Sequence, residues 1–419
     1  MKEGYKKTEL GWIPDEWSIV RVEDICDRND KYSFTGGPFG SDLKSCHYTD
    51  DGVQVVQLQN IGEGYFNNDS RVYTSAEKAD ELKTCNIYPN DIIIAKMAEP
   101  VARACKIPDN RSRYLMCSDG IRVAVNRNKY DNDFILYSIN SNYFRNNAIA
   151  NSTGSTRLRI GLSALRNLTL IVPTLKEQQK IAEILSTVDN QIYDTDKLIE
   201  KTKELKKGLM QRLLTKGIGH TEFKITEVGE IPMEWEVKSL LEVANFNNGK
   251  AHEKNICEIG DFIVVNSKFI STEGEIKKYS NENISPLNKG DITLVMSDVP
   301  NGRAIGKCYL IDKDNKYTLN QRICCLRTEE MDKEFLFYYL NRNSYFLKFD
   351  DGAKQTNLRK EEVLGCPIRI PKIEEQKQIA NILSSVDTQI EEYENKKKKL
   401  EELKKALMQQ LLTGKIRVV

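Results

Sequence analysis

Arg145, Arg157, Arg159 and Arg166 lie in a stretch with no acidic residue between Asp133 and Glu177. Serine, threonine and asparagine surround them in ANSTGSTRLRIGLSALRN (150–167). Guanidinium groups beside hydroxyls and amides can donate to phosphate oxygens and to base edges, the contacts that position and read a nucleic acid. The same composition suits a solvated loop carrying a few arginines, and the residues alone leave both readings open. A matching polar stretch, DGAKQTNLRKEEVLGCPIRIP (351–371), keeps Lys354, Gln355, Thr356, Asn357 and Arg359.

Bond-making chemistry finds less support. NGRAIGK (301–307) is one residue short of a GxxxxGK phosphate loop and runs into Cys308 in place of Ser or Thr. Its β-rich surroundings favour a hairpin turn. Gly62-Glu63-Gly64 has no third glycine after it. Ten cysteines include no CxxC pair, and three histidines complete no zinc spacing. His47, His220 and His252 share no motif with a Ser or Cys nucleophile and read as loop histidines. There is no Asn/Asp-Pro-Pro-aromatic motif of an amino-methyltransferase. No metal site and no catalytic residue is therefore expected.

These residues are positioned by a duplicated chain. Glu177–Thr215 and Glu375–Thr413 align at an offset of 198 without a gap, with 22 of 39 positions identical. In the first copy Ile181, Leu185, Val188, Ile192, Leu209 and Leu213 fall in steps of three and four; in the second Ile379, Leu383, Val386, Ile390, Leu407 and Leu411 do. That spacing predicts one long amphipathic helix per copy. About 40 residues at 1.5 Å rise make a rod of roughly 60 Å. Two such stripes in one chain can bury each other as a coiled coil, and periodicity leaves their relative direction open. Pro173 precedes the first helix, and Thr174 with Glu177 fits a capping box. Thr195, Thr202 and Lys397 interrupt the stripe, so the middle is where contacts to a partner are expected.

A second repeat relates YKKTELGWIPDEW (5–17) to FKITEVGEIPMEW (223–235) at an offset of 218. The whole chain is therefore two copies of an opening motif, a variable α/β region and a long helix. The expected segments are 1–172, a helix over 173–216, 217–370 and a helix over 371–419. Strands are predicted at 53–61, 91–97 and 120–126, then at 261–270, 291–297, 303–311 and 320–327. Helices are predicted at 134–149 and 333–349.

Of the 419 residues, 40% are hydrophobic and 29% charged, and the net charge is +1. No apolar run approaches the 18 residues of a membrane span, and the first residues carry no signal core or lipidation motif. Reduced thiols and a cytoplasmic location are expected. The low net charge places any phosphate affinity in local patches.

LGWIPDEW and VGEIPMEW, PTLKEQQKIAEILSTVD and PKIEEQKQIANILSSVD, and ELKKGLMQRLLT and ELKKALMQQLLT resemble motifs of the specificity (S) subunits of type I restriction–modification systems. GPFGSDLK (37–44) and NGKAHEK (248–254) resemble loops of their target-recognition domains. The resemblance spans nearly the full length, in order and in duplicate. It implies an α+β (mixed α/β) chain: two globular target-recognition domains separated by two long helices in an antiparallel coiled coil, an internal pseudo-twofold repeat. It implies a non-catalytic subunit that reads a bipartite, asymmetric target in double-stranded DNA. It also implies docking of two methyltransferase (M) subunits and, in a full system, two restriction (R) subunits. S-adenosylmethionine would belong to the M partner, and ATP and Mg to the R partner. The alternative is a specificity subunit serving a methylation-only complex without a nuclease partner. From the loops, the expected DNA contacts are Ser41, Lys44, Thr156, Arg157 and Arg159 in the first region. In the second they are Lys250, Lys268, Lys354, Gln355, Thr356 and Arg359; each also suits an exposed structural position.

Overall fold

The computed structural model describes residues 4–8, 11–97, 99–252, 254–298, 304–349 and 356–418. The chain divides into two compact units, residues 1–195 with 396–419 and residues 196–395, so the boundary cuts both long helices.

In the first unit a four-stranded sheet runs in the order Ala104–Lys106, Ile92–Ala95, Gly120–Val123, Phe34–Gly36, with all neighbours antiparallel. A five-stranded sheet, Tyr48–Thr49, Val72–Thr74, Val53–Val56, Tyr114–Met116, Asn86–Ile87, contains one parallel pair, Val53–Val56 with Tyr114–Met116. The second unit repeats the plan. Cys308–Leu310, Ile292–Val295, Ile323–Arg327 and Asn245–Asn248 form one sheet. In the other, Phe262–Val265 pairs in parallel with Tyr317–Leu319. Ile92, Ile93, Ile94, Ile292 and Leu294 are fully buried, as a central strand covered on both faces requires.

Several elements are shorter than the sequence predicts, because a polar side chain offers the backbone another partner. The helix expected over 134–149 is two, Asn132–Ile139 and Asn142–Ala150. Asn140 ends the first by exchanging hydrogen bonds with the backbone of Ala104, and the Ser141 hydroxyl caps the second. The helix expected over 333–349 breaks likewise into Lys333–Leu340 and Ser344–Leu347, with Asn343 as cap. The strand expected over 261–270 stops at Val265, because Asn266 accepts from the Phe269 amide and starts a helical turn, Ser267–Ser271. Residues 53–61 give only the strand Val53–Val56, and the strand expected over 303–311 is confined to Cys308–Leu310 after a turn at Ala304–Gly306; residues 301–303 lie outside the described residues.

The long helices are Leu175–Lys216 and Ile373–Leu411. In the first unit Lys404 Nζ meets Asp189 at 2.6 Å, and Arg417 meets Glu177 at 2.7 Å. In the second Lys203 meets Glu394 at 2.6 Å, and Lys206 meets Asp387. Numbers rise on one helix as they fall on the other, so the pairing within each unit is antiparallel. Ile181 and Leu185 share a core with Leu411, and Leu213 shares one with Ile379 and Leu383, with Leu407 and Leu209 packed beside them. Val188, Val386 and Ile390 are buried, and Ile192 is half-buried.

The middle of the stripe is not open. Thr195 is 1% exposed and Thr202 8%, and their hydroxyls donate to the carbonyls of Gln191 and Leu198, one turn back. A threonine that satisfies its own hydroxyl occupies an apolar position at little cost. Contacts to a partner are therefore not expected at these two residues. Lys397 is half-buried.

Each helix start is fastened to its opening motif in the same way. Trp17 Nε1 donates to Glu177, and Trp235 Nε1 donates to Glu375, both at 3.0 Å. Gln178 and Gln376 accept from the amides of Asp131 and Asp332, both at 2.9 Å. The expected capping box at Thr174 is therefore half made: the hydroxyl accepts from the Glu177 amide, but the carboxylate goes to Trp17 and Arg417.

Candidate nucleic-acid interface

The polar loops converge at one end of the four-stranded sheet in each unit. In the first unit the central strand Ile92–Ala95 leaves at Lys96. Its antiparallel neighbour enters after Asp119, and the edge strand leaves at Gly36 into the loop 37–44. Two backbone bonds lock this end. Lys96 N–H donates to Asp119 O at 2.7 Å, and Ile160 N–H donates to Lys96 O at 2.9 Å, which ties the hairpin Ser152–Ile160 to the central strand. A Cβ on Gly37 would fall 1.7 Å from Cys117 O, so only glycine lets the loop leave over this spot.

At the surface of this end Arg159 pairs with Asp119 at 2.9 Å. Lys96 Nζ donates to Ser118 O at 3.0 Å. Burial, and next the Arg159 guanidinium, pull the Lys96 ammonium below its ordinary pKa, partly offset by Asp119. Thr156 and Arg157 are exposed on the hairpin tip and line a cavity of about 570 Å³ with Leu58, Met97, Val101 and Ile149. Ser41 and Lys44 are exposed in the loop 37–44. The Ser41 hydroxyl donates to Asp42, and the Lys44 amide donates to His47 Nδ1.

The second unit gathers its polar residues at the equivalent end. A Cβ on Gly249 would fall 2.0 Å from Asn320 O, the counterpart of the Gly37 approach. Lys250 follows it, its amide donating to Leu319 O at 3.0 Å. Lys268 lies in the helical turn that follows Val265. Thr356 and Asn357 form a strand with Ser297–Asp298. Arg359 is exposed at the start of the helix Lys360–Leu364, its amide bonded to Glu362. Lys354 and Gln355 lie outside the described residues.

Two histidines brace these loops from within, His47 at Lys44 and His252 at Lys250, and the third lies elsewhere. His252 is fully buried, bonded to Lys250 O and the Thr318 hydroxyl, and His220 lies against Glu375 and Trp235. Sequence reasoning passed over Lys96 and Asp119. The strand expected over 91–97 runs through Lys96, and its charge at the end of the apolar run IIIA is the available signal. Among the described residues no group of three His, Cys, Asp or Glu is placed to hold a metal ion, and no helix is long and apolar enough to cross a membrane.

Residues 14–206 and 232–402 match the sequence model of a family described as the type I restriction modification DNA specificity domain. The chain belongs to this family. It is a mixed α/β specificity subunit with a duplicated reading unit. The type I restriction enzyme MjaVIII specificity subunit of Methanocaldococcus jannaschii is 33% identical over 442 residues, covering 100% of this chain and 97% of the relative. The StySPI specificity subunit of Salmonella potsdam is 22% identical over 392 residues, 88% of this chain and 81% of the relative. The fold is similar to the S subunit of a type I restriction-modification system from M. genitalium, with TM-score 0.56 at 17% identity over 94% of this chain and 96% of that one. It is also similar to a chain from a study of complex assembly and conformational transition of the type I R-M system, with TM-score 0.59 at 16% identity over 96% and 99%.

Proposed function

We propose that this specificity subunit reads a bipartite, asymmetric target in double-stranded DNA, one half with the loops of each unit. It catalyses no step itself. It carries two methyltransferase subunits and, in a full system, restriction subunits. S-adenosylmethionine belongs to the methyltransferase partner, ATP and Mg to the restriction partner, and the complex works in the cytoplasm. The observation that carries this reading is the repeated fastening of unlike loops. Glu177 holds Trp17 as Glu375 holds Trp235, and Tyr137 donates to Asp189 as Tyr338 donates to Asp387. Each reading domain is thus mounted on its helix start in the same manner, while the loops at its sheet end differ. Readers mounted alike and lined differently suit two half-sites of different sequence.

Side chains of arginine, lysine, asparagine and threonine on short loops suit contacts to phosphates and to the major-groove edges of bases. Selecting bound sequences from a pool of randomised duplexes, with the full chain and its methyltransferase partner, tests the reading. Two unlike specified blocks separated by a fixed unspecified gap support it. A single continuous block, or two identical ones, overturns it.

A further inference from the structure

The two units can be aligned residue by residue through their backbone hydrogen bonds. Lys96 N–H donates to Asp119 O at 2.7 Å, and Met296 N–H donates to Arg322 O at 3.0 Å. Ile160 N–H donates to Lys96 O at 2.9 Å, and Leu358 N–H donates to Met296 O at 2.7 Å. The residue before each donor is Arg159 in one unit and Asn357 in the other. Three positions are therefore held in one register: the end of the central strand, the residue before its neighbour, and the returning loop strand. The framework is the same twice and the side chains are not. Lys96, Asp119 and Arg159 stand in the first unit, and Met296, Arg322 and Asn357 in the second.

We infer that Lys96, Asp119 and Arg159 discriminate bases in one half of the target, and that Met296, Arg322 and Asn357 do so in the other. The inference rests on the DNA-reading function proposed above and names the positions that carry it.

The backbone clamp itself does not require these side chains. Asp119 and Arg159 form an ion pair whose side chains are 18% and 53% exposed, and the open arginine end limits what the pair contributes to folding. The second unit builds the same backbone clamp with Met296, Arg322 and Asn357, so the clamp does not depend on that pair. Arg322 and Asn357 are exposed, and Lys96 and Met296 half-buried, at the end of the sheet where the polar loops gather.

The side-chain chemistry differs in kind. Lysine and arginine donate to guanine O6 and N7, and aspartate accepts from cytosine N4, so the first set suits G·C pairs. Asparagine pairs with adenine N6 and N7, and methionine offers an apolar surface for a thymine methyl, so the second set suits a half containing an A·T pair as well as a guanine for Arg322. Gly36 contributes room: a Cβ there would fall 2.8 Å from Lys96 Nζ. The register puts Asn248 at that place in the second unit, since Gly36 pairs with Ile121 and Asn248 with Cys324.

The test transplants one set into the other. The full chain carrying Lys96→Met, Asp119→Arg and Arg159→Asn is assembled with its methyltransferase partner, and bound sequences are selected from randomised duplexes. The reciprocal variant carries Met296→Lys, Arg322→Asp and Asn357→Arg. Each should change base preference roughly 5- to 100-fold at one to three base pairs in its own half and leave the other half as in the wild type. Arg322→Gln alone, at an exposed side chain, gives the same readout should a triple variant fold poorly. A wild-type motif retained by the variants overturns the assignment. So does a loss of affinity uniform across all sequences, which would make these residues phosphate contacts. If the wild-type complex itself selects no sequence, the DNA-reading function fails and this assignment with it.

Discussion

The Trp17 indole nitrogen donates to the Glu177 carboxylate at 3.0 Å, joining the opening motif to the first turn of the long helix 160 residues later. Glu177 is 4% exposed and also accepts two bonds from Arg417, near the C-terminus. One buried carboxylate thus organises three distant segments of the first unit. A lone buried carboxylate would be costly, so its partners are part of its stability.

Glu177→Ala leaves the Trp17 indole nitrogen without its acceptor and the Arg417 guanidinium with Glu16 alone. A stability loss of about 1.5–3 kcal/mol is expected, the range for hydrogen bonds to charged groups. Hydrogen exchange should accelerate at residues 11–21 and not at residues 229–239. Equal acceleration in both opening motifs would contradict the local role.

The cysteines predict a labelling order. All ten are free, and Cys46 is the one exposed thiol among the described residues. Burial pushes Cys26, Cys105 and Cys366 up to about 12, and Cys308 well above its ordinary value. The thiolate is the reactive form, so buried thiols with raised pKa values stay inert at neutral pH. Brief treatment with iodoacetamide followed by peptide mass spectrometry should modify Cys46 first, with Cys26, Cys105, Cys308 and Cys366 modified only on unfolding.

Lys96 gives a pH-dependent prediction with a definite sign. Its lowered pKa means that the unfolded chain binds this proton more tightly, so the stability contribution rises as pH climbs from the lowered folded value towards 10.5. Arg159→Ala removes a repulsion and should raise the Lys96 pKa. Asp119→Asn removes an attraction and should lower it further. Carbon-13 NMR of reductively methylated Lys96 reads both shifts, and shifts of the opposite sign would count against the described cluster.

Net charge predicts the salt response. With +1 overall, the specificity subunit alone should bind DNA weakly, and its affinity should fall only shallowly with salt, because few counterions are released. Adding the methyltransferase partner should raise affinity and steepen the slope. Titrating a labelled duplex with each sample at two or more salt concentrations measures this; equal affinities would show that the subunit needs no help from its partner.

Much of the framework was legible in the residues. The steps of three and four from Ile181 to Leu213 and from Ile379 to Leu411 mark the long helices, because a stripe that must be buried writes its period into the sequence. The duplicated Glu-Gln pairs marked residues whose roles, holding Trp17 and Trp235 and accepting from Asp131 and Asp332, appear only in three dimensions. The breaks at Asn140, Asn266 and Asn343 were missed, since a side-chain amide competing for the backbone leaves no mark in the hydrophobic period. Thr195 and Thr202 point the other way: their polarity suggests an open surface, yet a hydroxyl bonded to its own helix is buried at little cost. Lys96 and Asp119 lie 23 residues apart in the sequence, and only strand pairing brings them together.

The central claim is that two differently lined units read two different half-sites. The most direct measurement is to express this chain with its methyltransferase partner in a methylation-free host and map N6-methyladenine across the genome. The account predicts one split motif with unlike halves and a fixed gap. A continuous or palindromic motif would contradict it.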